Sequence, residues 1–367
     1  MHDFQLKNHI PVSGPATREP VNGDEPDFRI SLGFVPRWYH QRLGIDFSKA
    51  WHTDPVYRYD ALLLMKRHLH ETFPMIPGFR PALRENGIEP SCATLSGVFG
   101  IKLMPMLYGM QVKYSNDDWP DNLAGDVLSK EHLAGLAPFD LDRNPVFIQL
   151  NRQMDTMEEH FGMIHGYLNY QGILNIALKL RGNDLFMDFY DDPGFVHHLF
   201  SHIAGTILQV SKKIQKRQCR SGFPINLLSM SNCVMNMVSP ETYREFVLPH
   251  DVMLSGQYPR FGIHTCNWNI TPYIDVLRKI KPMGYLDMGM VSDMAKVRDV
   301  FPEARRAVLY PPMELMEKPM DLIRKDLHKI FRDLAPCDIV MADITESTGD
   351  DTVRAFIKLV EEVSNNG

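Results

Sequence analysis

The chain has 367 residues, 44% of them hydrophobic, and a formal net charge of −6. That length allows two average domains or one large α/β barrel, and the charge gives no basic field for nucleic acid or an anionic membrane. No apolar run approaches the ~18 residues of a membrane span, and five cysteines without paired spacing point to free thiols in a reducing cytoplasm rather than a disulfide framework.

Residues 1–28 carry Pro11, Pro15, Pro20 and Pro26 with little apolar pattern, which predicts a flexible N-terminal extension. Residues 29–367 read as one domain. The segments Phe34 to Arg42 and Phe47 to Pro55 are dense in aromatic, His and Arg side chains, a composition suited to a pocket rim, with Trp38 and Tyr39 facing a substrate. Tyr57 to Phe73 has Leu62, Met65, Leu69 and Phe73 near helical spacing. The stretch from Ala93 to Pro145 is rich in Gly and Pro and reads as loops. A helical block near Phe147, an apolar strand at Gly162 to Gly166, a helix closed by Gly182 and a long helix to about Lys216 follow.

From Ile225 the pattern becomes regular. Strands are expected at Ile225–Met230, Phe261–His264, Gly284–Gly289, Ala307–Tyr310 and after Cys337, each followed by a helical segment. Such repeated strand–helix units predict parallel strands with crossover helices. The expected architecture is a (β/α)8 TIM-type barrel, in which chemistry sits at the C-terminal ends of the strands.

One of those ends carries His264-Thr-Cys266. Side chains alternate along a strand, so the two would share a face, and an imidazole with a thiolate makes a soft pair of zinc ligands. The third ligand expected is Cys337, although it begins a strand rather than ending one. Cys233 reads as a buried free thiol rather than a further ligand.

With these residues laid out, the C-terminal two-thirds resembles the uroporphyrinogen decarboxylase superfamily, and within it the cobalamin-dependent methyltransferases. The resemblance is carried by Gln171 to Gly182 with Tyr190-Asp-Asp-Pro193, Ser239 to Phe246 with Leu248-Pro249, Ile263-His-Thr-Cys266, and Pro336-Cys337-Asp-Ile339. It implies a TIM-type barrel and a zinc site held by His264, Cys266 and Cys337, with Asp287 on the next strand completing it. Ser231-Asn232-Cys233 replaces an aspartate-containing stretch of the family, and Asn232 is read as facing the substrate. The decarboxylase branch grips its polycarboxylate with an arginine motif that is broken here at Gln41-Arg42.

What the resemblance implies is a zinc-dependent methyltransferase that works with cobalamin carried on a separate corrinoid protein. The methyl group would move between cobalamin and a small methylated donor, such as an aryl methyl ether, or a thiol acceptor. The alternatives are a metal-free decarboxylase or lyase and a non-catalytic barrel used as a binding subunit. A homodimer stays open.

Overall fold

The computed structural model describes residues 21, 23, 25–76, 79, 82–84, 87–89, 93–123, 125 and 127–366. Most of the expected N-terminal extension therefore lies outside the described residues. At its end, Phe28 already belongs to the first strand.

Seven parallel strands form the central sheet: β1 (Phe28–Phe34), β2 (Tyr170–Gln171), β3 (Leu227–Ser231), β4 (Arg260–His264), β5 (Met283–Gly289), β6 (Arg305–Leu309) and β7 (Cys337–Ile344). Their order is β1-β7-β6-β5-β4-β3-β2. A further parallel bridge joins Thr94 to His165 outside these strands, and the arrangement is that of a TIM-type barrel. The expected Gly162–Gly166 strand is reduced to this single bridge. β3 to β6 are buried along nearly their whole length, as strands covered on both faces must be.

The helices obey local chemistry. Helix α1 (Pro55–Thr72) starts where the Asp54 carboxylate accepts from the amides of Val56 and Tyr57. Asn144 caps α2 (Pro145–Phe161) and Asp192 caps α4 (Pro193–Arg220), each followed by proline in the first turn, where its missing N–H costs nothing. Between them lies α3 (Ile173–Arg181). Further on, α5 spans Leu248–Ser255, α6 Met320–Leu334 and α7 Asp350–Asn366. In α6, Ile323, Leu327, Ile330 and Leu334 are buried, one apolar stripe at helical spacing packed onto the barrel.

At the N-terminal end of the barrel a buried ion cluster ties three strands. The Asp338 carboxylate accepts from Arg29 at 3.1 Å and from Arg305, both carboxylate and Arg305 being almost fully buried. A charge in that position is tolerable only because it is paired. This end is structural, and the opposite end holds the cavity.

Candidate metal centre

Strands β3 and β4 are hydrogen-bonded neighbours whose last residues, Ser231 and His264, are paired in register. Two residues beyond each strand end stands a cysteine. The Asn232 amide donates to the His264 carbonyl at 2.7 Å, which binds the two exits together. Cys266 takes a left-handed backbone, φ 62°, a conformation uncommon for a residue with a Cβ. That turn, rather than strand alternation, brings its thiol back beside His264. The Cys266 Sγ lies 2.9 Å from Cys233 Sγ and 3.2 Å from His264 Nε2. The three donor atoms all fall within 4.8 Å of one another.

Asp287 holds this arrangement from β5. Its Oδ2 is 2.5 Å from His264 Nδ1, and its Oδ1 accepts from the Thr265 amide at 2.6 Å. The Thr265 hydroxyl also donates to the Asp287 carbonyl at 2.7 Å, and the Tyr285 hydroxyl to Oδ2 at 3.0 Å. With Nδ1 engaged by the carboxylate, Nε2 is left facing the two sulfurs. This is the carboxylate–histidine pairing that fixes the tautomer of a metal-ligating imidazole. Asp287, expected as a ligand, is instead the group that orients one, because both its oxygens are already committed.

The electrostatics fit a divalent cation. Burial alone would lower the His264 pKa, but Asp287 and the two cysteines hold it well above the usual value. Cys233 is held well below the usual thiol range by the hydrogen bond from Cys266 and by the His264 charge, against burial. Cys266, the donor in that bond, is pushed up by it and by burial. The cluster thus already favours a thiolate on Cys233, with the remaining exchangeable protons on Nε2 and the Cys266 sulfur while Nδ1 keeps the proton it gives to Asp287. A cation that displaced both would meet a neutral imidazole and two thiolates, and the two negative charges would balance a zinc ion.

Cys337 is not part of the site. It opens β7, pairs with Phe28 at the start of β1 and donates its amide to the Asp27 carbonyl, so it sits near the ion cluster at the N-terminal end. Its neighbour Asp338 belongs to that cluster, while Val340 and Ala342 line the cavity. Alternation therefore turns Cys337 outward, toward the helices. It is fully buried, and burial raises its pKa, which makes it an inert core thiol. Cys233, read from the sequence as that kind of thiol, is the third member of the cluster. Its position became telling only with the structure, which ends β3 at Ser231 and lays it beside β4, so that Cys233 follows its strand end by the same two residues as Cys266.

Three other expected site residues serve packing. Trp38 and Tyr39 are each 1% exposed and belong to an aromatic cluster with Phe34 and Phe47. Arg42 lies 4.0 Å over the Trp38 ring and clasps Glu346 and Asp350, so it locks α7 rather than gripping a substrate. Asn232 is buried, with its side-chain amide donating to the Tyr243 hydroxyl at 3.0 Å.

The cluster opens into a cavity of about 640 Å³, within the range of small-molecule sites. Ile101, Trp119 and Pro120 form an apolar wall, Gln171 lines it from the end of β2, and Asn175 and Lys179 line it from α3 at the i, i+4 spacing of one helix face. Among the described residues the cations that line this cavity beyond the cluster are Lys102 and Lys179, with no arginine among them.

No protein-family model matches the chain, and no curated protein does. Among solved structures, a methyltransferase from Methanosarcina mazei superposes with a TM-score of 0.65 at 16% identity, covering 98% of this chain and 99% of that one. A Listeria monocytogenes protein assigned as a vitamin-B12-independent methionine synthase covers 62% of this chain and 72% of its own, at TM-score 0.42 and 12% identity. At such identities the methyltransferase likeness establishes the fold: this chain is a TIM-type α/β barrel with a Cys2His cluster at the C-terminal ends of its strands.

Proposed function

We propose that the protein is a zinc-dependent methyltransferase, in which Cys233, His264 and Cys266 hold the metal and the cavity above takes a small methylated donor or a thiol acceptor. The observation that carries this reading is the convergence of two thiols and an oriented imidazole on a substrate-sized cavity, because three protein ligands with a free position mark catalytic zinc. A bound zinc ion supplies Lewis acidity toward a sulfur or phenolic oxygen, keeping it anionic near neutral pH. The chain's own groups do the rest: Asp287 holds the imidazole, and the apolar wall excludes water from the reacting atoms.

The partner in this reading is a separate protein that carries cobalamin. Support comes from the mouth of the barrel, where Met237, Trp268, Val291 and Met313 are exposed on segments that follow strands β3 to β6. Apolar side chains gathered at a cavity mouth suit a docking protein. No helix of the described residues is long and apolar enough to cross a membrane.

The test is metal content. Protein purified without added metal is expected to carry about one zinc per chain, lost in Cys233→Ser, His264→Ala and Cys266→Ser and kept in Cys337→Ser. Zinc-loaded protein should then move a methyl group between methylcobalamin and a thiol. Zinc that survives Cys233→Ser and leaves with Cys337→Ser would overturn the ligand set.

A further inference from the structure

Strand β7 is irregular at one place, and that place faces the metal cluster. Its register against β1 runs Leu32↔Met341 and then Phe34↔Ile344, so Ala342 and Asp343 together oppose the single residue Gly33. This is a β-bulge, a device that re-aims a side chain beside a site. In a regular strand Val340 and Ala342 would face the cavity and Asp343 would point away. Here all three line it, together with Cys233, His264 and Cys266. Asp343 reaches that orientation through a left-handed backbone, φ 61°, a conformation that aspartate adopts more readily than most residues with a Cβ.

The carboxylate that results is exposed to the open cavity and makes no hydrogen bond or ion pair among the described residues. The bulge therefore sets a solvent-accessible carboxylate against whatever enters the cavity of the cluster. Asp343 is not grouped with the three donors, so it stands off from them and faces whatever enters. Partial removal from water at the cavity wall raises its pKa, with the charge of His264 pulling the other way, and a rise is the direction a proton acceptor needs.

We propose that Asp343 is a catalytic residue that exchanges a proton with a substrate thiol or phenol seated at the Cys233–His264–Cys266 cluster. As the heteroatom enters, its bond to hydrogen breaks, the electron pair stays on sulfur or oxygen, and the proton forms an O–H bond on Asp343. The reverse direction returns that proton to the departing thiolate or phenolate. The methyl-transfer reading supplies the substrate class, and the proton acceptor follows from the bulge.

Calorimetry of 2-mercaptoethanol, and separately of phenol, binding to zinc-loaded protein in buffers of different ionisation enthalpy tests this. Wild type is expected to retain the ligand's proton, whereas Asp343→Asn should release about one more proton to the buffer for each ligand bound. Asp343→Gly should do the same while raising the unfolding midpoint, since glycine takes φ 61° freely. The visible spectrum of the cobalt(II)-substituted protein should be unchanged by either variant. An unchanged proton count, or an altered cobalt spectrum that makes Asp343 a ligand, would overturn the inference and leave the functional reading intact. Zinc-loaded wild type that binds neither thiol nor phenol would overturn both.

Discussion

His264 is set by what touches each of its nitrogens: Asp287 at Nδ1 and the Cys266 sulfur at Nε2. A carboxylate in that position raises the basicity of the ligating nitrogen and stops the ring from turning. Asp287→Asn keeps the shape but loses the charge, and its amide can present an N–H to Nδ1, which favours the wrong tautomer. Zinc affinity is expected to fall by ~10–100-fold, as for other such partners. Competition with a chromophoric chelator would measure it, and an unchanged affinity would show that Asp287 serves packing alone.

At the scale of elements, the site depends on how closely strand exits approach each other. Gly289 ends β5 and donates its amide to the Trp268 carbonyl at 2.9 Å. A Cβ there would lie 2.6 Å from the backbone carbon and oxygen of Asn267. Only glycine lets the loop that carries Cys266 close onto β5. Gly289→Ala should therefore cost ~1–3 kcal/mol of stability, the range for overpacking, and weaken metal binding because Cys266 is displaced. Denaturant unfolding together with metal titration would check both, and full metal affinity in the variant would show that the loop relaxes elsewhere.

Across the whole molecule, one buried group couples stability to pH. Asp251 on α5 is fully buried, hydrogen-bonded by Tyr243 and Asn232, with Oδ1 unpartnered. Burial pushes its pKa up to about 7. Between the unfolded carboxylate value and about 7, the native state keeps a proton that the unfolded chain has lost. Stability contributed by this group therefore falls as pH rises through that window and levels off above it. In Asp251→Asn the fall should flatten by at least ~1 kcal/mol, as read from urea midpoints at pH 5 and pH 8 on metal-free protein. Parallel pH profiles for the two proteins would refute the assignment.

What the sequence determined by itself is what local chemistry encodes. Alternating strand and helix signals from Ile225 onward specified the barrel, and α6 falls at Met320–Leu334, where its apolar spacing predicts a helix. His264 and Cys266 were legible as a pair because they are two residues apart at a strand exit. The third donor was not, because choosing between Cys233 and Cys337 depends on which strands are neighbours and at which end of the barrel each residue sits. Parallel pairing of β3 with β4 places Cys233 at the exit, whereas the register of β7 puts Cys337 at the entrance, facing outward. The same limit applies to Trp38 and Tyr39, whose aromatic character suits a rim or a core equally until packing assigns it. The Asp343 bulge is a mismatch of one residue between β1 and β7, and it exists only once the two strands, some 300 residues apart in the chain, are laid side by side.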